Sequence, residues 1–303
     1  MGLVAILGDW GTTNVRLWAI SESNEVFQSI TLNKGMSQLS PSDYEPIIQN
    51  FIESCDTECS ARVDVFLCGM AGARQGWKEA TYSHISSIEG HRVVQIETAS
   101  SALNVYVLPG MKQLDPPDVM RGEETQIEGF ISDNPSFSGV ICLPGTHSKW
   151  VHIENGSVRS FRTAMTGEIY SLLKQHSTLS FMMDDAWDQE EFIASVKVGF
   201  EQGHALLSLL FSQRALKLST STNICGSSTV SGLLIGAEFK SCVNELEMKE
   251  LHFIGGDFLT ELYLTAASAL GIKAKASSGD QLVLKGLIAA YKQFRDGGLC
   301  IES

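Results

Sequence analysis

Two short segments of this 303-residue chain combine glycine, hydroxyl side chains and a well-placed acid or base. Gly8-Asp9-Trp10-Gly11-Thr12-Thr13-Asn14 follows the apolar run Leu3 to Leu7, and Pro144-Gly145-Thr146-His147-Ser148-Lys149 follows Val140 to Leu143. Phosphate is bound by backbone N–H groups that must come close, which glycine permits, with hydroxyl donors beside them. Gly11, Thr12, Thr13 and Asn14 in the first segment, and Gly145, Thr146 and His147 in the second, are therefore candidate phosphate contacts. A carboxylate beside a polyanion needs a cation between them, so Asp9 is the candidate Mg²⁺ residue, acting through water. Either loop alone reads better as a tight hairpin; their repetition, and Asp9, tip the balance toward a polyphosphate such as that of a nucleotide.

A third glycine element, Gly255-Gly256-Asp257, follows a short apolar run and precedes a helical pattern. Two glycines allow a flat ligand to lie against the backbone at a helix N-terminus, which makes these residues the candidate adenosine contacts; Asp257 is equally suited to capping that helix. No G-x-G-x-x-G follows a strand and no G-x-x-x-x-G-K-[ST] occurs, so dinucleotide and P-loop modes are excluded. No G-x-S-x-G elbow is present, and neither Cys55-x3-Cys59 nor His147 with His152 has metal-site spacing.

The elements that carry these segments alternate between strand and helix. Leu3 to Leu7, Val15 to Ile20 and Glu25 to Thr31 predict three successive strands, followed by a helix over Ser42 to Cys55 with Ser42 as its cap, and a buried strand over Val63 to Cys68. The pattern restarts with strands at Val140 to Leu143, Lys149 to Glu154 and Ser157 to Thr163, with Asn155-Gly156 as a hairpin turn. Helices over Gly167 to Gln175, Glu190 to Phe211, Thr229 to Leu246, Phe258 to Leu270 and Gln281 to Arg295 are expected, with strands at Leu251 to Ile254 and Ile272 to Ala276. Met182, Met183 and the Trp187 region read as core in preference to a lid. All seven prolines precede residue 145, and Pro116-Pro117 is the one segment resembling a connection, so the expected lobes are 1–118 and 119–303, with the last helix packing back on the first lobe.

The net charge of −13 excludes a basic footprint for nucleic acid or an anionic membrane. The first ten residues lack a basic leader and a spanning length. Seven cysteines, of which Cys68, Cys142, Cys225, Cys242 and Cys300 have apolar neighbours, read as buried free thiols in a reducing, cytoplasmic setting.

Five segments together resemble the 2-keto-3-deoxygalactonate kinase family: Asp9 to Asn14 with Arg16; Met120 to Gln126; Pro144 to His147 with Lys149-Trp150-Val151; Phe161-Arg162-Thr163 with Met165 to Glu168; and Ser231 to Glu238. The resemblance runs from Leu3 to about Ala290. It implies an α/β fold of two ribonuclease-H-like lobes, as in actin-like ATPases, with ATP in the cleft. It further implies transfer of the γ-phosphate to the 6-hydroxyl of 2-keto-3-deoxy-galactonate, with ATP and Mg²⁺ as cofactors and ATP and a sugar acid as small-molecule partners. A kinase for another sugar or sugar acid, or an ATPase switch of the same fold, remain alternatives.

In kinases of that superfamily the general base is an acid after a glycine, and Gly122-Glu123 is similar, with Glu in place of the usual Asp. Glu123 is the expected base and Glu124 the alternative, since neighbouring helical residues point about 100° apart. A carboxylate substrate calls for an arginine fork. Arg121 and Arg16 are the preferred pair among Arg16, Arg74, Arg121 and Arg162. The loop Gly69 to Trp77, containing Ala71, Gly72 and Trp77, suits a sugar floor, and Asn33 to Met36 an opposite wall.

Overall fold

A computed structural model of the chain describes residues 2–57, 59–85, 92–220, 225–245 and 250–302. The chain divides into two compact units, residues 1–135 with 280–303 and residues 136–279.

The first unit contains β1 (Leu3–Trp10), β2 (Val15–Ile20), β3 (Val26–Leu32), α1 (Tyr44–Ser54), β4 (Cys59–Gly69), β5 (Tyr82–His84), β6 (Arg92–Ile96), β7 (Leu103–Val107), β8 (Gly110–Leu114), β9 (Pro117–Met120) and α2 (Glu123–Asp133). The second contains β10 (Gly139–Leu143), β11 (Ser148–Glu154), β12 (Ser157–Ala164), α3 (Thr166–His176), α4 (Gln189–Gln202), α5 (Leu206–Ser219), α6 (Gly226–Glu245), β13 (Leu251–Gly255), α7 (Asp257–Ala269) and β14 (Ala274–Ser278). The chain then returns to the first unit with α8 (Gly279–Arg295) and β15 (Cys300–Glu302).

The first unit's large sheet has the order β15-β6-β7-β4-β1-β2-β3, and the second unit's sheet runs β12-β11-β10-β13-β14. In each, three consecutive strands pair antiparallel and the first then pairs parallel with a later strand, β1 with β4 and β10 with β13. A further parallel strand follows, β7 beside β4 and β14 beside β13. The expected repeat of one α/β topology, the ribonuclease-H-like order, is therefore present in both units.

β1 is buried on both faces, and the period-two alternation of its side chains explains the packing of the first unit. Ile6 and Trp10 face a core shared with Tyr44, Ile48 and Phe51 of α1. Ala5 and Leu7 face Val283, Leu287 and Tyr291 of α8, as expected for the last helix. In the second unit, β10 and β13 pack on α4, α6 and α7 through Phe192, Val196, Ile235, Phe239 and Tyr263. Among the described residues no helix is long and apolar enough to cross a membrane.

Several expectations need revision. Leu114 to Pro117 is the turn of the β8–β9 hairpin, with a cis Asp115–Pro116 bond, and the compact units divide after Pro135. Proline bars helix but is tolerated at the start of an edge strand, where Pro117 sits. The helix expected over Glu190 to Phe211 is two helices separated by a 3₁₀ turn at Gly203–Ala205. The cap before α1 is built by Ser40, whose N–H and hydroxyl both donate to Asp43, because a 3₁₀ turn precedes the helix. Cys55, Cys68, Cys142 and Cys242 are buried, whereas Cys225 is half-buried and Cys300 exposed. Leu246, the expected end of α6, and the side chain of Cys59 lie outside the described residues.

Candidate active site

The register of β1 assembles the first cluster. Asp9 lies opposite Arg16 on β2 and opposite Cys68 on β4. Cross-strand partners share a face, and this is the face covered by α8. Arg16 Nη2 donates to Asp9 Oδ2 at 2.6 Å, and Arg16 Nη1 pairs with Asp280 in the first turn of α8. Asp9 is 8% exposed, and its Oδ1 accepts from Cys68 Sγ at 3.6 Å. Burial beside that carboxylate pushes the Cys68 thiol well above its ordinary value, so Cys68 stays protonated.

Gly11, Thr12, Thr13 and Asn14 form the β1–β2 turn, closed by Gly11 N–H donating to Asn14 O at 2.8 Å. Thr12, Thr13 and Asn14 are exposed. The Gly35–Ser37 segment supports this turn: Met36 N–H donates to Gly11 O and Ser37 N–H to Thr12 O. A Cβ on Gly35 would sit 2.4 Å from Thr12 backbone atoms. Met36 thus braces the first turn through its backbone.

The second cluster is at the start of α2. Gly122 caps the helix with φ = 106°, a conformation that side chains disfavour, and a Cβ there would approach Gly69 Cα at 3.3 Å. Glu123 Oε2 accepts from Arg121 N–H at 3.0 Å, while both oxygens of Glu124 accept from Gly122 N–H at 2.9 and 2.7 Å. Burial, reinforced by the charge of Glu123, raises the Glu124 carboxyl to about 8. At neutral pH Glu124 therefore keeps its proton.

Arg121 stacks on Tyr82, 4.2 Å from the ring centroid, and Nη2 donates to Ala80 O at 2.7 Å. Its Nε and Nη1 are buried without a hydrogen-bond partner. A Cβ on Gly72 would lie 2.8 Å from Nη1, so the loop glycine leaves the guanidinium its place. Ala71 is wholly buried, and Trp77 packs toward the Trp10–Tyr44 stack, 5.5 Å from the Tyr44 ring. Arg74 is exposed, and Arg162 lies on β12 opposite Trp150.

In the second unit Gly145, Thr146 and His147 form the β10–β11 turn, with Thr146 and His147 exposed. His147 Nε2 lies 2.5 Å from Glu168 Oε2, and Glu168 N–H donates to Thr146 O at 3.0 Å. A cavity of about 320 Å³ opens beside Gly145 and is lined by Gly167, Tyr170, Trp187, Ser231, Phe258 and Leu259 among others. Its size falls in the range of small-ligand sites. Gly255 and Gly256 end β13 and lead into α7, with Gly256 and Asp257 exposed and Phe258 and Leu259 on the cavity wall. Gly256, not Asp257, is the cap of α7, and Asp257 is the acid of its first turn.

Sequence reasoning missed Asp280, Glu238, Phe258 and the placement of Trp187, which is 41% exposed on the cavity while Met182 and Met183 are core. A linear pattern does not distinguish a cavity wall from a core.

The chain matches the 2-keto-3-deoxy-galactonokinase family over residues 9–290. It is 34% identical over 296 residues to a Rhizobium meliloti (strain 1021) protein described as a 2-dehydro-3-deoxygalactonokinase, covering 94% of this chain and 95% of that one. It is 31% identical over 286 residues to the 2-dehydro-3-deoxygalactonokinase of Escherichia coli (strain K12), covering 92% and 94%. A crystal structure from Sinorhizobium meliloti, described by the same activity, superposes with a TM-score of 0.88 at 33% identity, covering 96% and 99%.

Proposed function

The chain belongs to the 2-keto-3-deoxy-galactonokinase family and is an ATP-dependent sugar-acid kinase, and from that premise we propose that it phosphorylates the 6-hydroxyl of 2-keto-3-deoxy-galactonate with Glu123 as general base. The observation that carries this reading is the start of α2, where an arginine with two buried N–H groups lacking partners precedes a pair of carboxylates. Buried unpartnered donors are costly, and a ligand carboxylate satisfies them. Arg121 is therefore assigned to the acid group of the substrate. Arg16, whose fork is taken by Asp9 and Asp280, orients Asp9.

Glu123 takes the base role because Glu124 is protonated at neutral pH and has both oxygens turned onto Gly122 N–H. As the 6-oxygen bonds to the γ-phosphorus, the bond from that phosphorus to the β,γ-bridging oxygen breaks, ADP departs, and the hydroxyl proton passes to Glu123. The Gly11–Asn14 turn of the first unit and the Gly145–His147 turn of the second serve as phosphate contacts. The cavity beside Gly145, with Gly255, Gly256 and Asp257 leading into its wall, is the nucleoside site of the second unit.

Among the described residues no three acidic, cysteine or histidine side chains cluster as a cage, and Asp9 alone would hold Mg²⁺ through water. When bound, Mg²⁺ neutralises charge on the phosphate oxygens.

The test is ADP release with and without a panel of 2-keto-3-deoxy sugar acids and neutral sugars. Release that depends on the galactonate acid supports the reading. Equal release without any acceptor, or preference for a neutral sugar, would exclude it.

A further inference from the structure

A buried carboxylate in the second unit has no role in the chemistry described above. Glu238, on α6, is 6% exposed. It accepts from Trp150 Nε1 at 2.6 Å and from Tyr263 Oη at 2.8 Å, and is also hydrogen-bonded by Ser148 and Thr166. These four donors come from β11, α7 and α3. A buried carboxyl group is an expensive way to fill space, since apolar residues of the same volume pack there at lower cost. Burial raises the carboxyl, and the hydrogen bonds from Thr166, Trp150, Tyr263 and Ser148 oppose that shift.

The donors lead to the phosphate turn. Ser148 Oγ is 2.9 Å from Tyr263 Oη and accepts from Gly145 N–H at 3.4 Å. Trp150 Nε1 and Tyr263 Oη both donate to Glu238, and Ser148 Oγ presents a lone pair to Gly145 N–H. From the other side, α3 grips the same turn. Thr166 opens that helix, a Cβ on Gly167 would lie 2.5 Å from Gly145 O, and Glu168 N–H holds Thr146 O. Gly145, Thr166, Gly167 and Tyr263 all line the cavity.

We infer that Glu238 is the positioning residue of the Gly145–His147 turn, fixing through Ser148, Tyr263 and Thr166 both the turn and the adjoining cavity in the form that receives the nucleotide. The inference rests on the kinase reading for the identity of that nucleotide. It assigns Glu238 to ATP binding and not to sugar-acid binding or the phosphoryl step.

The experiment is calorimetric titration of MgATP into the full-length wild type, Glu238→Gln, Ser148→Ala and Tyr263→Phe, with thermal melts and steady-state kinetics alongside. Gln keeps the size of Glu but presents a donor to donors. The expected result is MgATP affinity weakened by about tenfold, the worth of one such hydrogen bond, with the sugar-acid KM within twofold. Should Glu238→Gln fail to fold, Ser148→Ala and Tyr263→Phe interrupt the same chain at separate links. MgATP affinity within twofold of wild type in the folded variants, with only the melting temperature lowered, would overturn the inference, as would equal rises in both KM values. A wild type that binds MgATP but phosphorylates no sugar acid would instead overturn the kinase reading, leaving the Glu238 comparison decisive by calorimetry.

Discussion

Glu123 and Glu124 are neighbours with the same side chain, and their surroundings separate them. Glu123→Gln should lower kcat by ~10²- to 10⁴-fold, the usual worth of a positioned base, while Glu124→Gln should retain a substantial fraction of activity. Steady-state rates at saturating substrates check this, and the converse pattern would move the base by one residue. Glu124 also makes stability depend on pH. Its carboxyl titrates near 4.5 when unfolded and near 8 when folded, so between those values the folded protein holds a proton that the unfolded chain has released. The stabilisation is full below the lower value and is lost as pH rises through the upper one. Urea unfolding at pH 5, 6.5 and 8 should show wild type losing stability relative to Glu124→Gln by up to about 1 kcal/mol per pH unit. Parallel curves for the two proteins would refute the assignment.

At the scale of elements, the Ser231 to Glu238 segment reads as a helix, and its glycines acquire meaning only when α6 meets α4. A Cβ on Gly232 would lie 2.5 Å from Phe192 O, one on Gly236 2.2 Å from Val196 O, and one on Gly199 2.3 Å from Leu233 O. The two backbones therefore touch, and α6 carries Glu238 into the second unit's polar cluster at that close spacing. Gly232→Ala should force the helices apart at a cost of roughly 1–3 kcal/mol, seen as a melting temperature lowered by several degrees. An unchanged melting temperature would mean that the helices separate freely. The expected single helix over Glu190 to Phe211 failed for a related reason. Its apolar periodicity continues across Gly203, and the break arises where a Cβ on Gly203 would meet Ala237 at 3.2 Å.

For the whole molecule, a ligand that binds only the folded state raises its stability, by about 2.7 kcal/mol at a concentration one hundred times Kd. MgATP should raise the melting temperature of wild type, and Asp9→Asn should lose much of that rise together with turnover, because a neutral amide holds Mg²⁺ poorly. A full MgATP shift in Asp9→Asn with unchanged kcat would remove Asp9 from the metal's path. The repeated three-strand opening of the two units is legible in the residues, since apolar period, Gly-Thr turns and Asn155-Gly156 are local signals written in consecutive residues. The acid after Gly122 is what the family resemblance implies, and the arginine before it is a residue type suited to a carboxylate. The sequence by itself therefore determined the three-strand opening of each unit, the two hairpin turns and the residue types at the start of α2, but not the strands β5 to β9. The tertiary structure alone decided that Asp280 would meet Arg16, that Nε and Nη1 of Arg121 would be buried without partners, that Trp77 would pack toward the core, and that Pro116-Pro117 would close a hairpin. Those outcomes depend on which faces meet across long sequence separations, and burial, desolvation and hydrogen-bond satisfaction are properties of the assembled neighbours and not of the residue.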